Sequence, residues 1–241
     1  MSVIRRAIRD AARACGFEVW RIGSPAPWKY SLADRLRERR ITTVLDVGAN
    51  SGQFAKMLRS SGFDGQIFSF EPMTAAFVQL QSAADRDPKW TAFRCALGDR
   101  VETRQLNLAG NSVSSSLLDV TSHALEAEPD AAAVGVELVR VETLDSILPG
   151  LDADPARTLL KLDVQGFERQ VLSGARGAMS FLPAVVTECS LTPVYEGEWL
   201  FSDAVGHFLA AGFRLEHLEP VFKNASTGEI LQVDAHFWRP L

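Results

Sequence analysis

The sequence predicts an α/β fold in which helices cover both faces of a mostly parallel sheet. The first observation is an alternation of strand and helix patterns from residue 41 to residue 95, which is typical of a doubly wound sheet. The second is a pair of strongly apolar segments, 41–47 and 158–164, each followed by a glycine turn. The third is a pair of strand patterns that close the chain, at 213–218 and 233–238.

The size and composition indicate one globular domain. The chain has 241 residues, of which 46% are hydrophobic, and this is enough to bury a core. We expect an N-terminal helical segment over 1–40 and one domain over 41–241, with an insertion at about 101–142. No apolar run approaches the ~18 residues of a membrane span, and no signal peptide is evident. Three cysteines far apart in sequence indicate reduced thiols and a cytoplasmic setting.

The charge is distributed unevenly along the chain. The net charge is −5, but residues 1–40 carry ten Lys and Arg against four Asp and Glu, so the remainder is acidic. An acidic domain is a poor match for nucleic acid. A basic helix is expected over residues 2–15. It either packs on the domain with its arginines in solvent, or contacts a membrane surface or an anionic substrate.

The first strand leads into the turn V-L-D-V-G-A-N-S-G-Q-F over 44–54. A strand, a glycine turn and a helix start form a cradle for a nucleotide-like ligand. The dinucleotide fingerprint is G-x-G-x-x-G, but Asn50 replaces its second glycine here. Asp46 would repel a phosphate and suit a cationic amino group, which favours S-adenosylmethionine over NAD. The candidate cofactor-binding residues of this segment are Asp46, Gly48, Asn50, Gly52 and Phe54.

The second strand pattern, Q-I-F-S-F over 66–70, stops at Glu71 and Pro72. Glu71 follows Gly52 by 19 residues. At a strand end, a carboxylate in this position can accept both ribose hydroxyls of a nucleoside, and we include Pro72 in the same site. The alternative is a surface glutamate before a turn.

A helix over 74–84 and a third strand near 90–95 complete the first half of the predicted sheet. The strand ends in A-L-G-D. From its position, we expect the corner at Ala96 and Leu97 to face the adenine of the cofactor.

The insertion contains two alternating strand patterns, at 101–108 and 136–141, and a serine-rich loop over 110–116. Such a loop is usually a flexible connector. An insertion in a nucleotide-binding fold is also where substrate specificity tends to lie. Ser112 and Ser115 are therefore candidate substrate-binding residues.

The second half of the chain repeats the alternation. The apolar strand at 158–164 has Asp163 near its end. The remaining predicted elements are a helix over 167–178, a strand over 184–188, a loop over 192–197, a helix over 201–211 and the two closing strands.

Several particular segments occur in a fixed order. They are V-L-D-V-G-A-N-S-G-Q-F (44–54), F-E-P (70–72), A-L-G-D (96–99), N-S-V-S-S-S-L-L (111–118), V-E-T-L-D-S-I-L (141–148), L-K-L-D-V-Q-G-F-E-R-Q-V-L-S-G-A (160–175) and E-C-S-L-T-P-V-Y-E-G (188–197). With them, the chain resembles the FkbM family of S-adenosylmethionine-dependent methyltransferases over roughly residues 40–239. The resemblance implies a class I methyltransferase (Rossmann-like) sheet of seven strands, with the last pair antiparallel. It also implies O-methylation of hydroxyls on sugars, glycolipids or polyketide-type metabolites.

Methylation of an alcohol calls for a general base, because an alcohol is a weak nucleophile. Ligands of open α/β sheets lie at the carboxyl ends of the strands. The candidates there are Asp163, Glu188, Asp234 and His236. Asp163 is equally suited to bind the ammonium group of the cofactor, and a packed structural histidine is the alternative for His236.

Aromatic side chains follow the strand predicted over 184–188. Tyr195 and Trp199 could stack on the face of a sugar acceptor, and packing in the core or in a lid is the alternative. No compact ligand motif such as H-E-x-x-H is present, so we expect no metal ion.

Two other functions stay open from the sequence. One is an NAD-linked oxidoreductase, which would share the sheet, and the other is a non-catalytic partner subunit that keeps the cofactor pocket. The small-molecule or glycan acceptor, the choice between O- and N-methylation, and the oligomeric state, a homo-oligomer included, are also open.

Overall fold

The computed structural model describes residues 11, 12, 15, 28–111, 113–224 and 226–240. The basic helix predicted over 2–15, with the surface contact considered for it, lies almost wholly outside the described residues. The candidate substrate residue Ser112 also lies outside them.

The described residues form two sheets. Their strands are β1 (Thr43–Val47), β2 (Gln66–Phe70), β3 (Trp90–Phe93), β4 (Ala96–Leu97), β5 (Glu102–Ala109), β6 (Ala133–Glu142), β7 (Thr158–Leu162), β8 (Ala184–Ser190), β9 (Arg214–Lys223) and β10 (Ile230–Trp238). The main sheet has the order β3-β2-β1-β7-β8-β10-β9. The first five strands in this order, β3, β2, β1, β7 and β8, are parallel to one another. Strand β10 is antiparallel to both β8 and β9. The predicted doubly wound α/β sheet and its antiparallel closing pair are confirmed.

The insertion contributes β5 and β6 to the second, three-stranded sheet, in which β4 is the third strand and the order is β4-β6-β5. Strand β6 pairs antiparallel with β5, and its last two residues pair parallel with Ala96 and Leu97. An isolated bridge between Asn107 and Ser116 attaches the serine-rich loop to β5. The insertion is therefore joined to the corner that follows β3.

Helices cover both faces of the main sheet. They are α1 (Trp28–Glu38), α2 (Gln53–Ser60), α3 (Thr74–Ala84), α4 (Ser122–Ala127), α5 (Leu144–Ile147), α6 (Glu168–Ser173), α7 (Arg176–Met179) and α8 (Phe201–Ala210). On one face, Val44 of β1 belongs to a core cluster with Leu58 of α2 and Leu80 of α3. The next residue, Leu45, belongs to the cluster on the other face, together with Phe208 of α8. This alternation explains why β1 reads as a continuous apolar run.

The single helix predicted over 167–178 is interrupted in the structure. It divides into α6 and α7 on either side of Gly174. A Cβ atom at Gly174 would lie 1.9 Å from the carbonyl oxygen of Gly98, so the chain approaches the corner after β4 too closely for any other residue. The helix is thus interrupted where it contacts a distant part of the chain, and a local sequence pattern cannot predict such a contact.

Strand direction gathers the predicted site at one edge of the main sheet. Parallel strands β1, β2, β7 and β8 all end there, and the antiparallel β10 begins there. No helix among the described residues is long and apolar enough to cross a bilayer.

Candidate active site

A cavity of about 640 Å³ lies at this edge of the sheet. Its volume is within the range of pockets that hold small molecules, about 300–1,000 Å³. The β1–α2 turn, the serine-rich loop, the ends of the parallel strands and parts of β9 and β10 line it. The predicted site residues among its lining are Gly48, Asn50, Phe54, Glu71, Pro72, Ala96, Leu97, Ser115, Asp163, Glu188, Tyr195 and Asp234.

The turn between β1 and α2 contains left-handed backbone conformations. The φ angle is 77° at Gly48 and 47° at Asn50. A Cβ atom at Gly48 would lie 1.8 Å from the carbonyl oxygen of Asp163, so only glycine fits this close approach. The N–H of Asn50 donates to Oε2 of Glu71 at 2.8 Å, which joins the turn to the end of β2.

Glu71 has both carboxylate oxygens in backbone hydrogen bonds. Besides the bond from Asn50 to Oε2, the N–H of Met73 donates to Oε1 at 2.8 Å. Burial raises the pKa of Glu71 to about 7, although these two donors act in the opposite direction. Each carboxylate oxygen has a further lone pair, so the group can also accept hydroxyl donors such as those of a ribose.

Asp46 is fully buried and does not line the cavity, in contrast to the contact predicted for it. Its Oδ2 accepts a hydrogen bond from the Ser69 hydroxyl at 3.1 Å, and its Oδ1 lies 3.5 Å from Nζ of Lys161. Lys161 is opposite Asp46 in the register of β1 and β7, and it does line the cavity. Burial raises the pKa of Asp46, against the influence of Lys161 and Ser69. Asp46 is therefore positioned behind the cavity wall.

Gln165 connects the two acidic residues at the ends of β7 and β8. Its Nε2 donates to Oδ1 of Asp163 at 2.6 Å and to Oε1 of Glu188 at 3.0 Å. Its backbone oxygen accepts a hydrogen bond from the Ser116 hydroxyl at 2.6 Å, which holds the serine-rich loop against the site. The φ angle of Gln165 is 55°, a conformation that non-glycine residues adopt at a cost and that often marks functional sites.

Carboxyl groups lie side by side across three strands. Glu188 of β8 is opposite Asp234 of β10, and Asp234 is opposite Glu219 of β9. All three line the cavity. Gln232, two residues before Asp234, donates from Nε2 to Oε1 of Glu188 at 2.8 Å. Like charges directly opposite one another destabilise a sheet, so this row makes the strand ends a candidate functional site.

His236 lies away from the sheet edge at which it was expected. Strand β10 starts at the edge and runs away from it, so His236 is opposite Val186, in the interior of β8. The side chain does not line the cavity and is 3% exposed. Burial lowers the pKa of His236 to about 3, so the imidazole is neutral near neutral pH. The structure favours the alternative of a packed histidine.

Gly52 and Trp199 are two further candidates that do not line the cavity. At Gly52, φ is 84° and an added Cβ would lie 2.7 Å from the Trp90 ring, so this glycine serves the turn and the packing of α2. The Trp199 ring lies 5.0 Å from the His207 ring, and the Arg169 guanidinium is 5.6 Å from its centre. Trp199 therefore packs beside α8.

Several polar residues that line the cavity were not predicted from the sequence. They include Lys161, Gln165, Glu219 and Gln232. Lys161 had a signal, because a lysine inside the apolar strand T-L-L-K-L needs a buried partner. Gln165 and Gln232 had none, since a glutamine after a strand or within one is ordinary. Among the described residues, no group of three or more His, Cys, Asp and Glu residues is arranged to hold a metal ion.

Several solved methyltransferase structures are similar to this chain at low sequence identity. Precorrin-6y C5,15-methyltransferase from Geobacter metallireducens GS-15 is 13% identical, with a TM-score of 0.47 and coverage of 88% of this chain and 87% of that one. A TehB-like SAM-dependent methyltransferase from Corynebacterium glutamicum is 15% identical, with a TM-score of 0.40 and coverage of 98% and 97%. Magnesium protoporphyrin IX methyltransferase from Synechocystis PCC 6803, solved with bound SAM, is 11% identical, with a TM-score of 0.45 and coverage of 100% and 99%. The search of curated proteins finds no match.

A family comparison gives a direct assignment. Residues 46–215, more than half of the chain, match the family described as the methyltransferase FkbM domain. This match confirms the resemblance seen in the sequence and the expected cofactor, S-adenosylmethionine, and it replaces the alternatives of an oxidoreductase and of a non-catalytic subunit. On this evidence the chain belongs to the FkbM family of methyltransferases.

Proposed function

We propose that the protein transfers a methyl group from S-adenosylmethionine to a hydroxyl group of a sugar, a glycolipid or a secondary metabolite. The observation that carries the proposal is the half-buried carboxyl group of Glu188, which lines the cavity between two amide side chains. A group in this setting is suited to take the proton that a hydroxyl loses on methylation.

The β1–α2 turn and the end of β2 fit the nucleoside part of the cofactor. Glu71 would accept the ribose hydroxyls, and Gly48 allows the close packing on which the turn depends. Ala96 and Leu97 form an apolar corner that suits an adenine. When bound, S-adenosylmethionine supplies a methyl group that its sulfonium has already activated, so the protein has to orient the acceptor and remove a proton.

Glu188 is our choice for the general base. Burial raises its pKa well above the ordinary value, and the carboxylates of Asp163 and Asp234 act in the same direction. A carboxylate with a raised pKa is a stronger base near neutral pH. Both amide hydrogen bonds are made to Oε1, so neither engages Oε2, which we assign as the proton acceptor. Asp163 is the weaker candidate, because Lys161 and Gln165 each hold one of its oxygens.

The charge of the cavity supports an acceptor without phosphate or carboxylate groups. The row of Glu188, Asp234 and Glu219 would repel an anion at this short range. Sugars and many secondary metabolites instead offer neutral hydroxyls. Ser115 and Tyr195 line the same cavity. Ser115 is our proposed contact to the acceptor, whereas Tyr195 is 1% exposed and would serve the acceptor through Gln165, to which its hydroxyl donates.

We also infer a cytoplasmic setting. Cys95 and Cys189 are free thiols in the core, and Cys15 is a free thiol at the surface. Unpaired thiols are typical of a reducing compartment.

The test is methyl transfer from S-adenosylmethionine that carries a labelled methyl group. The acceptors are a panel of neutral sugars and glycosides and a small-molecule extract of the producing organism. Nuclear magnetic resonance of the labelled product should show an O-methyl ether. A label on nitrogen or on a carboxyl group would contradict O-methylation of a hydroxyl.

A pair of matched variants tests the assigned base. Glu188→Gln should lower kcat by about 10²–10⁴, the usual contribution of a general base, and leave the affinity for S-adenosylhomocysteine unchanged. Glu219→Gln makes the same change in the same row of carboxyl groups and should affect kcat much less. Equal effects of the two substitutions would show that overall charge, and not proton removal by Glu188, is what matters.

A further inference from the structure

Lys161 is a buried cation at an otherwise acidic cavity. Its side chain is 9% exposed, yet it contributes to the cavity lining. Among the lining residues that the structure describes, it is the only one with a cationic side chain, whereas Glu71, Asp163, Glu188 and Asp234 are acidic. Within this described lining, Nζ of Lys161 is therefore the side-chain group that can form an ion pair with an anionic group of a ligand.

The position of Lys161 is fixed from three sides. Its Nζ lies 3.0 Å from Oδ2 of Asp163, 3.5 Å from Oδ1 of Asp46 and 3.5 Å from the carbonyl oxygen of Gly48. The Phe54 ring centre is 5.5 Å away. Burial acts to lower the pKa of Lys161, but the two carboxylates more than offset it and hold that pKa above its ordinary value. Lys161 is therefore charged at any working pH.

Asp46 and Asp163 have different relationships to this lysine. Asp46 is fully buried, so it can hold Lys161 but cannot touch a ligand in the cavity. Asp163 lines the cavity, and its side chain is 35% exposed. The cavity thus presents a lysine and an aspartate in contact, one positive and one negative, next to the turn at Gly48.

We propose that Lys161 and Asp163 together bind the amino-acid end of S-adenosylmethionine, with Lys161 contacting its carboxylate and Asp163 its ammonium group. That end of the cofactor carries one negative and one positive charge, as the residue pair does, so the two are complementary. Asp46 is a positioning residue that acts through Lys161. This assignment moves the cofactor contact predicted for Asp46 to the lysine in front of it, and it holds whichever acceptor is methylated.

Two ligands separate this role from a purely structural one. S-Adenosylhomocysteine and 5′-methylthioadenosine share the nucleoside and a neutral thioether, but the second lacks the amino-acid end. Titration calorimetry of both ligands measures how much that end contributes to binding, without any need for the acceptor or for turnover. The wild-type protein should bind S-adenosylhomocysteine more tightly.

The main variant is Lys161→Met, which keeps an unbranched side chain that is one heavy atom shorter and removes the charge. The affinity for S-adenosylhomocysteine should fall about tenfold or more, since a hydrogen bond between charged groups is lost, and that for 5′-methylthioadenosine should stay within about twofold. Glu71→Gln is the matched control, because its ribose contact is common to both ligands and both affinities should fall together. If Lys161→Met weakens both ligands equally, or neither, the assignment is wrong.

A second variant covers the case in which Lys161→Met does not fold. Removing one partner of a buried charge pair is strongly destabilising, whereas removing both is often tolerated. Asp46→Asn combined with Lys161→Met should therefore restore the fold, as thermal unfolding would show. The double variant should still bind 5′-methylthioadenosine normally and S-adenosylhomocysteine weakly, and a normal affinity for S-adenosylhomocysteine would overturn the proposal.

Discussion

The hydroxyl of Tyr195 lies 2.6 Å from Oε1 of Gln165 and donates a hydrogen bond to it. This bond fixes which way the Gln165 amide faces, and so directs Nε2 toward Asp163 and Glu188. Tyr195 is 1% exposed, and burial raises the pKa of its hydroxyl further above the ordinary value, with Glu188 and Asp163 acting in the same direction. It is therefore a permanent donor that orients the acidic residues of the site.

Tyr195→Phe should lower the rate of methyl transfer without loss of the cofactor site. The Gln165 amide loses the donor that orients it, so Glu188 is held firmly by only one of its two amide partners, Gln232. Loss of the buried hydrogen bond should cost about 1 kcal/mol of unfolding free energy. Urea unfolding, calorimetry with S-adenosylhomocysteine and the labelled transfer assay measure the three effects.

The matched control for Tyr195→Phe is Trp199→Phe, an aromatic substitution outside the cavity lining. It should leave the transfer rate close to that of the wild-type protein. Retention of the wild-type rate by Tyr195→Phe would show that the amide of Gln165 is held well enough by the two carboxylates alone.

Gly48→Ala should destabilise the fold much more than Gly197→Ala. The two glycines have similar left-handed φ angles, 77° and 73°. A Cβ at Gly48 meets the carbonyl oxygen of Asp163 at 1.8 Å, whereas a Cβ at Gly197 has no atom within 4 Å among the described residues. We expect a loss of about 1–2 kcal/mol for Gly197→Ala, from backbone strain alone, and of about 3 kcal/mol or more for Gly48→Ala. Urea unfolding of both variants gives the difference, and similar losses would disprove the close contact at Gly48.

The sequence was sufficient to predict the sheet and to place the β1–α2 turn and Glu71 at one cavity. Both depend on local signals: an apolar run for a strand, a glycine for a turn, and an acidic residue where a strand stops. The bounds of β2, 66–70, agree with the strand pattern, and Glu71 lies at the cavity as the pattern indicates. Parallel strands that end at one edge then bring these ends together without further information.

The arrangement of polar residues at the ends of β7 and β8 and in β10 depends on relationships that the sequence does not contain. His236 was expected at the sheet edge, but its place is set by the register of β10 against β8, which no local pattern specifies. Asp46 lies in a strand whose residues are all buried, on both faces of the sheet. The sequence pattern therefore could not show which face of the sheet its side chain occupies. Gln165 joins Asp163, Glu188 and Tyr195 from three parts of the chain, so only the folded structure shows its role.

Binding of 5′-methylthioadenosine should weaken as the pH falls through 7. Burial raises the pKa of Glu71 to about 7, and the ionised form is the better acceptor for ribose hydroxyls. Because protons compete with the ligand, the affinity at pH 6 should be about tenfold lower than at pH 8. Calorimetry at pH 6, 7 and 8 checks the dependence.

Glu71→Gln supplies the control for this pH effect. The amide does not titrate, so the variant should bind the ligand weakly and with the same affinity at all three pH values. A pH dependence that survives in the variant would assign the effect to another group.

His236 should reduce the stability of the protein in acid. Its pKa is about 3 in the fold, chiefly through burial, against an ordinary value of 6.5. Between these values the unfolded chain binds a proton that the folded chain does not, so unfolding free energy falls as the pH falls below 6.5. The loss from this residue should be about 2 kcal/mol between pH 7.5 and pH 5.

Substitution of His236 by glutamine isolates the contribution of the imidazole to the pH dependence of the unfolding free energy. His236→Gln cannot take up the proton, so the variant should be less stable than the wild-type protein at pH 7.5 and should recover relative to it as the pH falls to 5. Carboxyl groups with raised pKa, such as those of Glu71 and Glu168, gain stability in acid in both proteins and cancel in the comparison. Urea unfolding at pH 5, 6 and 7.5 measures the difference. If the two proteins differ in unfolding free energy by the same amount at all three pH values, the imidazole has its ordinary pKa in the folded protein. His236 would then be a candidate base after all.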